Sequence, residues 1–230
     1  MEEISIVIPA YNEEKRIGAT LEKIIAHCTT RGYDYEIIVV DDGSKDATAN
    51  IVKGFDDKKV YLVGYGQNKG KGFAVRVGML CAKKNRVLFS DADLSTPIEE
   101  LDRFITRKED IVIGSRNLES SKITIKQPFI RQKLGRLFPA VVEFVLPLGI
   151  KDTQCGFKLF TREAAHGIFC KMQTNGFGFD VECLYLGKRM GYNIAEMPVE
   201  WRNAAGSKVN IARDAPRMLF DTIKIRMAHR

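Results

Sequence analysis

The sequence lacks the cysteine patterns of zinc-binding and disulfide-rich proteins. Its five cysteines are odd in number and scattered, and no two stand in C-x-x-C spacing. We therefore expect reduced thiols and no cysteine-based zinc site. The first residues show neither the basic nor the apolar part of a signal peptide, so no secretory leader is expected. The longest apolar stretch, 137–150, contains Glu143 and two prolines and is too short to cross a bilayer, so we expect no transmembrane helix.

Two segments have few or no acidic residues to balance their cations. Residues 202–230 hold seven Lys or Arg and two acids, and residues 120–136 hold five cations and no acid, in a chain of net charge +7. Such clusters most often form a solvated surface, and the more specific alternatives are that they bind an anionic membrane or a nucleic acid. No helix-turn-helix, zinc-finger or RNA-binding motif accompanies the cations, so we expect no nucleic-acid partner.

Apolar runs alternate with helical patterns through the first half of the chain. The predicted strands are 4–8, 35–40, 60–63, 87–90 and 111–113, and the predicted helices between them are 17–25, 47–55, 72–84 and 98–106. The second half predicts strands at 156–160 and 194–201 and helices at 179–190 and 211–227. This alternation predicts an α/β fold with a mostly parallel sheet and helices on both faces. We expect one domain over residues 1–230, with amphipathic segments at 129–150 and 211–230 suited to a membrane surface.

Polar clusters follow four of the predicted strands. They stand at residues 11–13, 41–42, 91–93 and 115–116. Because ligands of such sheets bind at the carboxyl ends of the strands, these clusters predict one site at one sheet edge. The most informative cluster is Asp91-Ala92-Asp93, since two carboxylates after a strand can hold a hard divalent cation and thereby neutralise a diphosphate.

Each cluster taken alone also has a simpler interpretation. Residues 9–14 and 41–46 suit ordinary strand-to-helix turns, in which Glu or Asp favours a helix N-terminus. Residues 68–72 form a Lys-rich turn without Walker spacing, although their glycines would let backbone N–H groups face an anion. The dispersed cations Arg116, Arg131, Arg202 and Lys208 suit a surface role, and Arg also suits bidentate phosphate contacts.

Six segments in order resemble a family-2 glycosyltransferase of the GT-A (Rossmann-like) fold. They are Pro9-Ala10-Tyr11-Asn12-Glu13, Val39-Val40-Asp41-Asp42-Gly43-Ser44, Asn68-Lys69-Gly70-Lys71-Gly72, Asp91-Ala92-Asp93, Gly114-Ser115-Arg116 and Asp152-Thr153-Gln154-Cys155-Gly156-Phe157-Lys158. The nearest subgroup loads a hexose onto dolichyl or polyprenyl phosphate. Residues 152–160, 179–182 and 194–208 are most similar to dolichyl-phosphate β-glucosyltransferases, and dolichyl-phosphate mannose synthases share most of the same pattern.

The resemblance implies a nucleotide site and a metal site. The implied nucleotide contacts are Pro9, Tyr11, Glu13, Val40, Asp42, Asp91 and Ala92, to which we add Lys71. Asp93, with Asp91 beside it, would bind Mg²⁺ or Mn²⁺. Ser95 stands where mannose synthases can place a Gln ligand, which favours glucose over mannose and leaves the full metal coordination open.

The resemblance also implies an inverting transfer of a hexose to a lipid phosphate. Because a phosphate monoester is ionised near neutral pH, with a second pKa of about 6, no strong catalytic base is needed. We expect Arg116, Arg131, Arg202 and Lys208 to hold the acceptor phosphate or the diphosphate, and Asp152, Gln154 and Asp180 to contact the sugar. Asp91, Asp93, Arg116, Arg131 and Arg202 are thus the expected catalytic residues.

Several alternatives stay open. The donor is UDP-glucose or GDP-mannose, and the acceptor is dolichyl or another polyprenyl phosphate or a molecule that is not a lipid. A nucleotide-sugar-binding regulator without catalysis is disfavoured by the intact acids at 91 and 93. We expect a peripheral enzyme at the cytoplasmic face of a membrane, in contact with an anionic surface.

Overall fold

A computed structural model describes residues 2–123, 142–202 and 211–229, with the backbone alone over 211–217. The strands are β1 (Glu3–Ala10), β2 (Asp34–Asp41), β3 (Val60–Gly64), β4 (Arg86–Ser90), β5 (Ile111–Ser115), β6 (Lys122–Ile123), β7 (Phe157–Thr161), β8 (Ile194–Pro198) and β9 (Glu200–Trp201). The helices are α1 (Ile17–Arg31), α2 (Thr48–Lys53), α3 (Lys71–Cys81), a 3₁₀ turn (Ile98–Glu100) that continues into α4 (Leu101–Phe104), α5 (Arg162–Lys171), α6 (Phe179–Arg189) and α7 (Ile211–Ala228).

A seven-stranded sheet in the order β3-β2-β1-β4-β7-β5-β8 forms the centre of the molecule. All pairings in it are parallel except those of β7, which runs antiparallel to both β4 and β5. An antiparallel strand begins at the edge where its parallel neighbours end, and Ser90 at the end of β4 lies opposite Phe157 at the start of β7. Residues 152–156, which precede β7, therefore lie at the carboxyl edge of the sheet. A second, two-stranded sheet pairs β6 with β9.

The strand side chains alternate between two apolar layers, as the period of two along a strand requires. Val7 and Phe89 face the layer that holds α3, α5 and α6. Ile6 and Leu88 face the opposite layer, with α1, α2 and α4. The predicted sheet with helices on both of its faces is confirmed.

Helix α3 lies unusually close to the sheet at Gly78. A Cβ added at this glycine would lie 2.3 Å from Cγ1 of Val7 and 2.9 Å from Cγ2 of Val40. The first residue of α3 is Lys71, at the carboxyl edge of the sheet. The close packing at Gly78 therefore fixes the helix whose N-terminus borders the candidate site.

Some elements differ from the sequence-based expectations. The predicted strand 194–201 is divided at Val199 into β8 and β9, which belong to different sheets. Pro198 has no N–H to continue the ladder, whereas the N–H of Val199 donates to Ser115 O at 3.3 Å. Helix α5 was not predicted, although Thr161 caps it by accepting from Ala164 N at 3.2 Å.

The candidate membrane segments are described in part. Of the segment 129–150, residues 129–141 lie outside the described residues and residues 142–145 are helical. Helix α7 forms over the predicted helix 211–227. Within the part of the chain that the structure describes, no helix combines the length and apolar character needed to cross a membrane.

Candidate active site

The loops after β1, β2 and β4 meet at the carboxyl edge of the sheet. Strand β1 has β2 on one side and β4 on the other, so the chain changes direction of winding at this point. Sheets of this kind bind ligands in the crevice at such a point. The predicted convergence of residues 11–13, 41–42 and 91–93 is the observed arrangement.

The loop after β4, residues 91–95, is held in a strained turn. Leu94 N donates to Asp91 O at 3.2 Å, and Ser95 N donates to Oδ1 of Asp93 at 2.9 Å. Leu94 adopts φ 45°, and among the described residues only Asn12 shares this left-handed region without being a glycine. Both stand at the same sheet edge. Such strain persists only where the surrounding structure imposes it, and it clusters at functional sites.

The carboxylate of Asp91 is held between a lysine and a glycine. Lys71 Nζ lies 2.7 Å from Oδ1 of Asp91, with 27% of the lysine side chain and 31% of the aspartate side chain exposed. On the other side, a Cβ added at Gly156 would lie 2.0 Å from Oδ2 of Asp91. Burial lowers the pKa of the Lys71 ammonium, but Asp91 and Asp180 raise it by more, so the pKa stands above its ordinary value.

A second lysine–aspartate pair lies buried next to the first. The ammonium of Lys158, in β7, contacts the carboxylate of Asp180, in α6, and also donates to Cys155 O at 2.7 Å. Burial lowers the pKa of Lys158, but neighbouring groups, chiefly the Asp180 carboxylate, together raise it above its ordinary value. We had expected Asp180 to contact the sugar, but it is almost fully buried and neutralises this lysine instead.

Lys158 was not among the predicted site residues. The sequence does carry a signal for it, because a lysine inside the apolar run 157–160 needs an anionic partner if the strand is buried.

Asp93 faces the loop after β1. Its Oδ2 lies 3.9 Å from Nη1 of Arg16, whose Nε is 2.5 Å from Oε2 of Glu13. Arg16 was not among the predicted residues. It links the predicted nucleotide contact Glu13 to the predicted metal ligand Asp93, because both carboxylates lie around one guanidinium.

Asp42 has a structural role that the sequence did not reveal. Its Oδ1 accepts from Tyr65 Oη and Lys69 N, both at 2.7 Å, and its Oδ2 accepts from Asn68 Nδ2 at 2.9 Å and Gly70 N at 3.0 Å. A carboxylate has about four acceptor positions, and all are used. Asp42 thus holds the loop that leads into α3, and a contact with a nucleoside would require one of these bonds to be given up.

Two other predicted nucleotide contacts are buried. Val40 is fully buried and Ala92 is nearly so, and the Ala92 carbonyl accepts from Oγ1 of Thr20 at 2.6 Å. The Val40 side chain therefore belongs to the core and offers no surface to a ligand. Pro9, Tyr11 and Glu13 are partly exposed, and their contacts with a nucleotide stay predictions.

Arg116 is paired with an acid, contrary to our expectation of an isolated cation. Its Nε and Nη2 donate to the two carboxylate oxygens of Asp152 at 2.7 and 2.8 Å, and its backbone N donates to the same carboxylate at 2.9 Å. Asp152 is buried, so its expected contact with a sugar is replaced by this ion pair. The Arg116 guanidinium also lies 5.7 Å from the ring centroid of Trp201.

Arg202 lies next to the 91–95 loop. Its backbone N donates to Ser95 O at 2.7 Å, while its Nε contacts Oε1 of Glu200 at 2.9 Å. The side chain remains 59% exposed. Gln154 is partly buried, and its Nε2 lies 3.9 Å from the Met218 sulfur of α7. Arg131 and Lys208 lie outside the described residues.

Comparisons with known proteins identify the family. Residues 5–169 match the family model described as Glycosyl transferase family 2. The chain belongs to this family. This glycosyltransferase is 38% identical to a dolichyl-phosphate beta-glucosyltransferase of Dictyostelium discoideum, over 98% of its own length and 74% of the relative. It is 36% identical to enzymes of the same name from Homo sapiens, over 90% and 69% of the two chains, and from Saccharomyces cerevisiae, over 98% and 75%.

Solved structures confirm the GT-A fold. A glucosyl-3-phosphoglycerate synthase of Mycobacterium tuberculosis in complex with UDP superimposes with a TM-score of 0.70 at 20% identity, over 98% of this glycosyltransferase and 80% of that chain. A mannosyl-3-phosphoglycerate synthase of Rubrobacter xylanophilus gives 0.71 at 20% identity, over 97% and 72%.

The donor atoms of the site suit a divalent cation that a substrate helps to bind. Among the described residues, no group of three or more His, Cys, Asp or Glu side chains could hold a metal by itself. Asp91 and Asp93 nevertheless offer carboxylate oxygens at one sheet edge, and Mg²⁺ is commonly held by one or two carboxylates together with substrate phosphates. The residues therefore fit a metal that is shared with a diphosphate.

Proposed function

We propose that this glycosyltransferase transfers glucose from a nucleotide diphosphate sugar to dolichyl phosphate or a related polyprenyl phosphate, with inversion at the anomeric carbon. The observation that carries the proposal is the near-complete coverage of this chain by relatives named for that reaction. The crevice at the carboxyl edge supports it, because partly exposed carboxylates there border a lysine at a helix N-terminus, where a diphosphate is favoured.

The donor site in this proposal lies between β1 and β4. Tyr11 and Glu13 would contact the nucleoside, and Lys71 would contact the diphosphate. Asp93, with Asp91, would hold Mg²⁺ or Mn²⁺, which supplies Lewis-acid stabilisation of the charge on the leaving nucleotide. Asp42 would act indirectly, because it fixes residues 68–70 and hence the start of α3.

The acceptor site in this proposal lies beside Arg202. A phosphate monoester with a second pKa of about 6 is mostly a dianion at pH 7, so the acceptor is itself the nucleophile. Arg202 is the described cation best suited to hold it, because its side chain is 59% exposed and its backbone is bonded to the 91–95 loop. Arg116 would stabilise the part of the site beside Arg202 through its contacts with Asp152 and Trp201. Roles for Arg131 and Lys208 in holding the acceptor remain predictions.

We further propose that α7 and residues 142–146 rest on an anionic membrane surface. Phe144 is 88% exposed, and α7 exposes a stripe of large apolar side chains, namely Leu219, Phe220, Ile223 and Met227. The two segments adjoin, because Arg226 Nη1 donates to Val145 O at 2.8 Å. Exposed apolar residues with interspersed cations are typical of helices that lie in the headgroup region.

The test of the function is product partitioning. The purified enzyme is incubated with Mn²⁺, dolichyl phosphate in detergent and radiolabelled UDP-glucose or GDP-mannose. We expect label from UDP-glucose in the organic phase, released as glucose by mild acid. Label that enters the organic phase from GDP-mannose alone would identify a mannosyltransferase. Label in a water-soluble product that forms without the lipid would contradict the lipid acceptor.

The metal assignment predicts the effect of removing Asp93. We expect Asp93→Ala to lower the transfer rate by about a hundredfold or more, the scale of losing a metal ligand that acts on the transition state. Asp93 is partly exposed, so thermal unfolding of the variant should match that of the wild type. Asp56→Ala, at an exposed aspartate before β3, is the matched control and should retain full activity. Full activity of Asp93→Ala in the presence of a chelator would contradict the assignment.

A further inference from the structure

The two lysine–aspartate pairs near the 91–95 loop differ in their access to solvent. The Lys158 side chain is fully buried and its partner Asp180 is 7% exposed, whereas Lys71 and Asp91 are 27% and 31% exposed. The first pair is fixed within the core. The second pair borders the crevice, and both of its side chains keep some access to solvent.

Lys71 occupies the position on Asp91 that a cation would take. Its Nζ is 2.7 Å from Oδ1 of Asp91, and Oδ2 of the same carboxylate lies against Gly156. A divalent ion that approaches Asp91 therefore meets a positive charge already in contact with the carboxylate. Two cations cannot share one oxygen at this distance without strong repulsion.

The lysine has an alternative partner once a diphosphate is present. Lys71 is the first residue of α3, and its ammonium is flanked by the rings of Phe89 and Phe179, at 5.4 and 5.8 Å from their centroids. Both rings are buried, so the ammonium lies on the side of the crevice that adjoins the core. A lysine is a point charge on a flexible four-carbon stem, so it can exchange a carboxylate for a phosphate by rotation alone.

We propose that Lys71 is an exchangeable counter-ion of Asp91 that makes metal binding depend on the nucleotide. In the free enzyme the Lys71 ammonium forms an ion pair with Asp91 and repels a divalent ion. When a nucleoside diphosphate binds, the Lys71 ammonium would move to the phosphates, and the Asp91 carboxylate would become free to help hold a divalent ion. The inference rests on the proposed function in placing the nucleotide and the metal at this edge.

Binding of Mn²⁺ alone tests the proposal without any transfer reaction. Free Mn²⁺ is measured by electron paramagnetic resonance as the protein is titrated, first without a nucleotide and then with saturating UDP or GDP, and the Mn²⁺ that each nucleotide binds in the absence of protein is measured separately and subtracted. We expect the wild type to bind Mn²⁺ at least about tenfold more tightly with the nucleotide, the scale of releasing one contacting charge. Equal affinity with and without both nucleotides would overturn the proposal, whatever the variants do.

The variant Lys71→Met separates the two roles of the lysine. Without a nucleotide it should bind Mn²⁺ about tenfold more tightly than the wild type, because the competing charge is gone. Without a metal it should bind UDP more weakly, because a phosphate contact is gone. Lys71→Gln is the second variant if the methionine prevents folding, and Lys71→Arg should resemble the wild type. Unchanged or weaker binding of Mn²⁺ by a folded Lys71→Met or Lys71→Gln protein would overturn the proposal.

Lys69→Met is the matched control. Lys69 stands two residues earlier, and its ammonium lies over the rings of Tyr65 and Phe73, at 5.3 and 4.7 Å from their centroids. Its removal should leave Mn²⁺ binding without a nucleotide unchanged. An increase as large as that of Lys71→Met would mean that general surface charge, not the contact with Asp91, sets the affinity. Failure of the lipid-transfer assay would leave these binding results standing, so the two proposals fail separately.

Discussion

Single charged residues at this sheet edge are held by partners far away in the sequence. Asp152 receives three hydrogen bonds from Arg116, which is 36 residues away, and Lys158 pairs with Asp180, 22 residues away. A buried charge that loses its partner is costly, because nothing then offsets its removal from water. The pairs therefore couple the stability of the fold to the geometry of the site.

The Arg116–Asp152 pair predicts a pH-dependent loss of stability in Asp152→Asn. Burial raises the pKa of Asp152, but Arg116 lowers it by more, so the pKa in the folded protein lies below the ordinary 3.8. The stabilisation is present in full above the pKa of the unfolded chain, about 3.9, and is lost as the pH falls through the lower folded pKa. At pH 7 we expect the free energy of unfolding of Asp152→Asn to be about 2–3 kcal/mol lower than that of the wild type. This loss is smaller than the usual loss on breaking a fully buried ion pair, because Arg116 keeps some access to water.

Urea unfolding of wild type and Asp152→Asn between pH 7 and pH 3 measures this difference. It should be constant down to about pH 5 and shrink below about pH 4, where Asp152 of the unfolded wild type becomes protonated. Asp56→Asn, at an exposed position, should show no difference at any pH. A gap between wild type and Asp152→Asn that stays constant to pH 3 would mean that lost packing, not lost charge, causes the destabilisation.

At the scale of elements, the position of α3 on the sheet links the core to the site. Gly78→Ala should destabilise the protein by about 1–3 kcal/mol, because the new Cβ would overlap Val7 and the helix must shift. The gain in helix propensity does not offset this overlap. Since α3 carries Lys71, nucleotide binding should weaken as well, measured by calorimetry beside thermal unfolding.

Gly18→Ala is the matched control for this prediction. Gly18 also lies in a helix, α1, and a Cβ there would meet Cγ2 of Ile51 at 3.6 Å, an ordinary contact. The control should be neutral or slightly stabilising, with unchanged nucleotide binding. If Gly78→Ala behaves in the same way, the packing of α3 does not control the site.

The sequence predicted the elements well where the apolar pattern was periodic. Strands β1 to β5 and helices α3, α6 and α7 begin and end within a few residues of their predicted bounds, because each is a local pattern. Helix α1 begins at Ile17 as predicted but continues to Arg31, beyond the predicted end at residue 25. The antiparallel direction of β7 was not predictable in this way, since an apolar run does not encode whether the strand lies parallel or antiparallel to its neighbours. Asp91 and Asp93 lie after β4, at the carboxyl edge of the sheet, for the same local reason.

The ion pairs of the site could not be predicted, because they depend on which strands become neighbours. Arg116 follows β5 and Asp152 precedes β7, and only the antiparallel pairing of β7 with β5 brings the two together. Lys71 reaches Asp91 because α3 packs on β1 at Gly78. We had treated these charges as separate contacts to ligands, and the tertiary structure makes them pairs.

At the scale of the whole molecule, the large exposed apolar side chains concentrate on one part of the surface. Of the eight among the described residues, four lie on α7 and Phe144 lies in the adjoining segment. Gln154, in the loop before β7, also lies 3.9 Å from Met218 of α7. If α7 rests on a membrane, that loop lies close to the lipid surface, and a lipid-bound phosphate has a short path to it.

The membrane proposal predicts that Phe220→Glu weakens binding to vesicles. Phe220 is 58% exposed on α7, and burial of a phenylalanine contributes about 1.5–3 kcal/mol, so affinity should fall about tenfold or more. Sedimentation with phosphatidylcholine vesicles that contain phosphatidylserine measures the bound fraction, and added salt should lower it for the wild type because part of the attraction is electrostatic. Tyr61→Glu, at a 47% exposed aromatic on β3, is the control and should bind as the wild type does. Equal binding of Phe220→Glu and Tyr61→Glu would show that the apolar stripe of α7 does not enter the bilayer, and the lipid acceptor would then have to reach the crevice from another side.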